Sequence, residues 1–365
     1  MVKGAIAVIA VTGGITVSLA ACGFAGGDAA SGEPIAPRTV TFSKSNAVLG
    51  EAAGELTKQT GLPISVDPSF LKAKCAANFN KLPFWNALED LSAKTGTRIV
   101  YRDGGKSLSL EARGKSREVS SVSGPFRTIA RQTTAKFDLE LGQPGYAVQL
   151  DAHWEPRFPV FRISSAPQVT KATDDRGTTL TASSAKSFTQ AAGYAHSFDV
   201  VRLDGLSRES KSIAVLNGSY TVTAAEQMLA FRFDDLTAKL PAALPVQAGV
   251  TASLKRIEKD DNVWEVEVEL NYPAGMPTFE SFEEGVWLAR NRMQLIPPGG
   301  GKSFTPDDHQ FLHIGQRVVG VYRFKENAEK GLANPKSKGW SVVYEAPSPL
   351  LEFRVPFEVK DIPLP

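Results

Sequence analysis

The sequence is poor in cysteine and in histidine. Only two of its 365 residues are cysteines, Cys22 and Cys75, and only four are histidines. Because Cys22 lies in the N-terminal segment, processing there would leave Cys75 without a partner. The chain therefore has no disulfide framework, and hydrophobic cores must hold its domains together.

A marked excess of charge of either sign is also absent. The chain has 41 Lys and Arg against 39 Asp and Glu, a net charge of +2. Such a balance gives no basis for binding nucleic acid or an anionic membrane through bulk electrostatics, so we expect no nucleic-acid partner. The hydrophobic content of 42% and charged content of 22% are typical of a globular protein. The length suits two or three domains.

Charge is missing altogether between Gly4 and Ala21, just after Lys3. The end of this stretch and the cysteine that follows it, Leu19-Ala20-Ala21-Cys22, resemble the lipobox of bacterial lipoproteins residue for residue. The resemblance implies a signal peptide over residues 1–22, with Cys22 lipidated and anchored in the membrane of the cell envelope, facing the periplasm or the surface. Ordinary cleavage with secretion, or an uncleaved membrane helix, are the alternatives. All three put the rest of the chain outside the cytoplasm.

Residues 23–38 are small, polar and proline-containing, which predicts a flexible tether. Residues 39–113 then follow the order βαββαββ, closed by a hairpin across residues 103–105. The first predicted helix has Ser45 or Asn46 as its N-cap and ends at Gly61. The second begins at Pro83 and ends at Gly96. Cys75 falls in an alternating strand, so we interpret it as a core residue.

The two halves of this module echo each other. Leu56-Thr-Lys-Gln-Thr60-Gly61 matches Leu91-Ser-Ala-Lys-Thr95-Gly96 at a spacing of 35 residues. Together with the order of elements, these motifs resemble the short N-terminal domain of secretins and TonB-dependent receptors, over about 75 residues. The resemblance implies a periplasmic protein-interaction unit without catalytic residues. A generic βαββαββ sandwich acting as a spacer is the alternative.

Beyond a second predicted linker at residues 114–124, nearly every segment has the alternation of a strand. Asn217-Gly218, between two apolar runs, predicts a hairpin turn. Leu229-Ala-Phe-Arg232 recurs as Leu351-Glu-Phe-Arg354, 122 residues later. This spacing predicts two β-sandwich units of immunoglobulin-like type, residues 118–241 and 242–365, with one larger β domain as the alternative. The predicted fold class is therefore multi-domain: an α+β module, then two all-β units.

The sequence lacks the motifs of a nucleotide-binding site and of a serine hydrolase. Two Gly-Lys-Ser turns, ending at Ser107 and Ser303, lack the first glycine of a P-loop, and no G-x-S-x-G motif occurs. We therefore expect neither an enzyme nor a cofactor.

Two weaker candidate sites remain. Asp307, His309 and His313 have metal-ligand spacing, although a polar surface turn would look the same. Trp287 is flanked by turn and charge and could serve as a platform for carbohydrate, whereas Trp154 and Trp264 are predicted to lie in the core.

Two functional hypotheses follow from these features. The first is a non-catalytic envelope lipoprotein that acts in protein interaction or scaffolding, with other envelope proteins as partners. The second is an extracytoplasmic β-sandwich protein that binds a ligand, either carbohydrate or a metal ion. Flat sheet edges with apolar side chains would favour the first, and a deep pocket the second.

Overall fold

The computed structural model describes residues 35–277 and 291–365, except for the single positions 116, 141, 157, 185 and 194. Within these ranges the chain is mostly β-strand, as predicted, with two α-helices in its first third. No helix among the described residues is long and apolar enough to cross a membrane. The predicted signal peptide and most of the predicted tether lie outside the described residues.

The elements of the first region are β1 (Thr39–Lys44), α1 (Leu49–Thr60), β2 (Ile64–Val66), β3 (Ala77–Pro83), α2 (Phe84–Thr95), β4 (Thr97–Arg102) and β5 (Ser107–Ala112). The strands form a two-stranded sheet of order β1-β3 and a three-stranded sheet of order β2-β5-β4. One hydrophobic core contains side chains from both helices and both sheets. The predicted hairpin across residues 103–105 is confirmed, because β4 and β5 pair antiparallel.

Both helices end where the sequence predicts. Gly61 and Gly96 adopt left-handed conformations, with φ of 70° and 67°, and each donates its backbone N–H to the last turn of its helix. The predicted N-cap of α1 is wrong: Val48 holds that position and no side chain caps it. The first two N–H groups of the helix instead donate to the backbone carbonyls of Ala73 and Leu71.

Among its described residues the second region has ten strands: β6 (Val119–Ser123), β7 (Phe126–Asp138), β8 (Gln143–Trp154), β9 (Val160–Ser164), β10 (Gln168–Asp174), β11 (Thr181–Ser183), β12 (Thr189–Ala191), β13 (Ala195–Ser197), β14 (Val201–Asp204) and β15 (Ser212–Ala225). One sheet has the order β11-β14-β8-β7-β6, with β13 also on β8, and the other has the order β10-β15-β9-β12. The second half of the predicted linker at residues 114–124 is therefore a strand.

The described strands of the third region are β16 (Met228–Phe233), β17 (Ala242–Ala243), β18 (Thr251–Asp260), β19 (Val263–Asn271), β20 (Arg292–Ile296), β21 (Asp308–Ile314), β22 (Arg317–Lys325), β23 (Ser341–Pro347) and β24 (Leu350–Pro363). They form a five-stranded sheet, β17-β18-β19-β22-β21, and a three-stranded sheet, β16-β23-β20. The last strand, β24, pairs with β15 of the preceding region.

The hairpin predicted at Asn217-Gly218 is wrong. Both residues lie in the middle of β15, which pairs with β10 on one side and β24 on the other. A Cβ atom at Gly218 would lie 2.5 Å from the carbonyl oxygen of Gln168 and 2.7 Å from Cζ of Phe357. Glycine is therefore needed here for close packing between strands rather than for a turn.

The two β cores exchange strands. Leu229 and Phe231 of β16 lie in the core of the third region, whereas Val355 and Phe357 of β24 lie in that of the second. The β15–β24 ladder runs into the β16–β23 ladder, and the N–H of Ser348 donates to the carbonyl of Gln227 across the junction, over 2.9 Å. The predicted boundary between residues 241 and 242 does not coincide with the division of the cores.

The pairing pattern repeats at the spacing of the Leu229 and Leu351 motifs, 122 positions. When residue numbers are shifted by 122, the range of β7 overlaps that of β18, β8 overlaps β19, β15 overlaps β23 and β16 overlaps β24. The antiparallel pairs repeat as well: β7 with β8 corresponds to β18 with β19, and β15 with β24 corresponds to β23 with β16. A two-stranded antiparallel ribbon, formed by residues 212–233 and 341–363, thus joins two β regions with corresponding strand pairs.

Candidate functional site

Two residues of the predicted sites, Cys22 and Trp287, lie outside the described residues. The lipidation site and the carbohydrate platform therefore stay predictions. Trp154 and Trp264 are buried in the β cores, as predicted.

The predicted metal ligands lie at the start of β21 and along it. Oδ2 of Asp307 accepts a hydrogen bond from the backbone N–H of Lys325 over 2.7 Å, and the ring of His309 packs against Phe311 and Tyr322. Among the described side chains, no three His, Cys, Asp or Glu residues are grouped so that they could hold a metal ion. The side chain of His313 is not among those described, so the site stays a prediction.

Cys75 belongs to the core of the first region and is 2% exposed. Burial raises the pKa of its thiol, because a thiolate would lose its hydration there. Its position agrees with the interpretation of Cys75 as a core residue.

Two aromatic side chains, the buried Trp85 and the half-buried Tyr101, fix the α/β region to the sheet that contains β7 and β8. Nε1 of Trp85, on α2, donates to the carbonyl oxygen of Pro125 over 2.9 Å. The hydroxyl of Tyr101, on β4, donates to the carbonyl oxygen of Trp154 over 2.6 Å. These two bonds hold both the helix and the edge strand of the α/β region against the beginning of β7 and the end of β8.

A buried arginine completes this junction. The guanidinium of Arg127, on β7, pairs with Glu89 of α2 over 2.7 Å and also with Glu118. It lies 6.0 Å from the centre of the Trp85 ring. Ser120 donates a further hydrogen bond to the same oxygen of Glu89 over 2.5 Å. The α/β region thus supplies a carboxylate to a cation that the β sheet buries.

Beside this junction a cleft of about 580 Å³ opens between β4 and the outer face of β7, β8 and β13. Asp151 forms its floor, opposite Ile129 on β7 and Ser197 on β13. The hydroxyl of Ser197 donates to Oδ1 of Asp151 over 2.5 Å, and Nε of Arg131 donates to Oδ2 over 2.9 Å. Arg131 reaches Asp151 because it lies at a bulge in the β7–β8 ladder.

His153 lies next to Asp151 along the cleft and is 8% exposed. Its ring meets that of Tyr101 edge-on, with the centres 4.7 Å apart. Burial, together with the positive charge of Arg127, lowers the pKa of His153 to about 3, against the opposing effect of Asp151. The imidazole is therefore neutral near pH 7, and its Nδ1 has no hydrogen-bond partner among the described residues.

Two exposed arginines also line the cleft, Arg98 on β4 and Arg117 just before β6. Nη2 of Arg98 lies 3.9 Å from Glu111, whose carboxylate Arg102 binds over 2.9 Å. Arg117 forms no ion pair with any described residue. Both guanidiniums therefore keep most of their donors available.

Comparison with known proteins does not add to this picture. No family model matches the sequence, and a search of curated proteins finds no match. The cleft must be interpreted from its own residues.

No motif in the sequence predicted this cleft. A signal was present in β8, because Val148, Leu150 and Ala152 alternate with the polar residues Asp151 and His153, which places a carboxylate and an imidazole on the face opposite the core. No local pattern in the sequence indicates that a second region covers this face or brings Arg98 to it.

Proposed function

We propose that the chain is a non-catalytic lipoprotein of the bacterial cell envelope that acts in protein interaction or scaffolding. The sequence Leu19-Ala20-Ala21-Cys22 supports the lipid anchor. The α/β region, in this proposal, is a unit like the short N-terminal domain of secretins and TonB-dependent receptors. The order of its seven elements supports that assignment.

The two β regions are proposed to be β-sandwiches of immunoglobulin-like type. Each pairs a larger with a smaller antiparallel sheet around one hydrophobic cluster, and strand pairs correspond between the two. The exchanged strands β16 and β24 would make the pair one rigid body, since neither core is complete without a strand from the other half.

The observation that carries the interaction role is the free edge of β21. This strand pairs with β22 on one side and ends its sheet among the described residues. Leu312 and Ile314, two positions apart on it, are 57% and 64% exposed. An edge strand with exposed apolar side chains suits the addition of a strand from a partner, because its backbone groups are available for pairing.

Site-specific photocrosslinking in intact cells tests this role. A photoreactive residue at position 312 is expected to form a discrete adduct with an envelope protein, and the adduct should be lost when Ile314→Lys is added. Val246, an exposed apolar residue outside β21, is the matched control position. The same adducts at both positions, or none at position 312, would contradict the assignment.

The lipid anchor has its own test. Labelled palmitate is expected to enter the native chain and not the Cys22→Ser variant, and only the native chain should stay with the membranes. Equal membrane retention of the two proteins would remove the lipoprotein from the proposal while leaving the role of β21 open to its separate experiment.

A second candidate function, the extracytoplasmic binding of a ligand, is favoured by one observation. The cleft beside Asp151 and His153 has a volume within the range of small-molecule sites and lies where two regions meet.

A further inference from the structure

We propose that the cleft between β4 and the face of β7, β8 and β13 binds a small organic anion, whose charged group is held by Arg98 and Arg117. The proposal is independent of the partner interaction assigned to β21, because the cleft and that strand belong to different sheets. It also gives the ligand a class that neither a carbohydrate nor a metal ion satisfies.

The arginines supply the first argument. Arg117 has no ion-pair partner among the described residues, and the nearest carboxylate to Arg98, Glu111, is engaged by Arg102. A guanidinium offers five donors in a planar fork that matches carboxylate and phosphate groups. Two such groups in the lining of one concave site are suited to an oxyanion.

The floor supplies the second argument. Asp151 carries a negative charge that would repel an anion, but Arg131 pairs with it and Ser197 satisfies its other oxygen. His153 is neutral, because it is buried against Arg127. Glu118, the other carboxylate that lines the cleft, pairs with the same Arg127. Each carboxylate of the lining is thus paired with an arginine, while the two arginines named above add positive charge.

The apolar residues that line the cleft suit the carbon skeleton of an organic ligand. Val100, Ile129 and Ala195 contribute apolar surface between the arginines and the floor. The volume of about 580 Å³ accommodates a small molecule rather than a single inorganic ion. A carboxylate and a phosphate share the oxyanion chemistry that arginine binds, and separate probes distinguish the two.

Calorimetric titration of the purified chain at low ionic strength tests the proposal with three probes: succinate, phenyl phosphate and the neutral succinamide. We expect at least one anion to bind, and succinamide to bind at least about ten-fold more weakly than that anion. Whichever anion binds better identifies the charged group. The absence of binding by both anions up to about 10 mM would overturn the proposal.

Substitutions then locate the binding. Arg117→Gln and Arg98→Gln should each weaken anion binding about ten-fold, since each removes charge-assisted hydrogen bonds. Arg176→Gln is the matched control, because Arg176 is also an exposed arginine but pairs with Glu209 outside the cleft. An equal loss of affinity in the control would show that the anion responds only to net charge, and would overturn the proposal.

The histidines give a readout that does not depend on a variant's stability. In long-range proton–nitrogen spectra, the anion should shift the imidazole signals of His153 and His196, which both line the cleft. His309 lies on β21, in another sheet, and serves as an internal reference. Shifts at His309 as large as those at His153 would count against a site in the cleft.

Discussion

Nε of Arg127 donates a hydrogen bond to Oε1 of Glu89 over 2.7 Å, and this contact joins strand β7 to helix α2. The side chain of Arg127 is only 2% exposed, whereas that of Glu89 is 30% exposed. A guanidinium buried to this degree needs carboxylate partners, and one of its two partners comes from the α/β region. The electrostatics of β7 thus require the α/β region to lie where it does.

Removing the charge of Arg127 should be costly. Arg127→Gln leaves Glu89 and Glu118 facing each other without the cation, and we expect the free energy of unfolding to fall by about 3 kcal/mol. Urea denaturation measures the change. Arg232→Gln, which breaks the exposed pair with Asp234, should leave the midpoint nearly unchanged. Equal effects of the two substitutions would mean that the buried pair does not stabilise the junction.

Trp85 provides a second test of the same junction. Trp85→Phe keeps an aromatic ring but removes the N–H that donates to the carbonyl of Pro125. The buried carbonyl of Pro125 would then lack its donor, and the ring at position 85 would be smaller. Together these changes should lower the free energy of unfolding by about 2 kcal/mol. Thermal melts of the variant and the native chain measure the loss. An unchanged melting temperature would show that the bond contributes nothing to stability.

The pH dependence of stability should report on His153. The pKa of His153 in the folded chain, about 3, lies below the ordinary value of 6.5, so below pH 6.5 the unfolded chain binds a proton that the folded chain does not. Stability is then lost as the pH falls, by about 1.4 kcal/mol per pH unit in this window. In His153→Gln, the loss between pH 7 and pH 5 should be smaller by about 2 kcal/mol. Identical pH profiles for the two proteins would contradict the buried neutral imidazole.

Gly218 should not tolerate a side chain. In Gly218→Ala the new methyl group would meet Phe357 and the carbonyl of Gln168, and we expect a loss of about 2 kcal/mol from overpacking. Gly54→Ala is the matched control, because the space around Gly54 on helix α1 is open and alanine favours a helix. Chemical denaturation should show opposite signs for the two. A neutral Gly218→Ala would argue against the packing of β24 on β15.

The sequence predicted those parts of the fold that local patterns determine. The apolar stripes of α1 and α2, with Gly61 and Gly96 after them, carry their own start and stop signals. The Asn217-Gly218 pair led to a wrong prediction, because the same dipeptide that favours a hairpin also permits two strands to approach closely. Only the partners of β15, distant in sequence, decide between these roles.

The candidate site was harder to predict, because it is made by contacts between regions. Arg98 and His153 are 55 positions apart, and neither belongs to a motif. The sequence did not predict the exchange of β16 and β24 for a similar reason. A repeat of 122 residues indicates a duplicated unit, but it does not tell in which copy each last strand packs.

The claim on which the account depends is that the α/β region and the β regions form one rigid body. Spin labels at positions 58 and 209, both exposed, measure it directly in the full chain carrying Cys22→Ser, because the buried Cys75 is shielded from labelling. The account predicts a single narrow distribution of distances, which Arg127→Gln broadens. A broad distribution in the protein with Arg127 intact would contradict it.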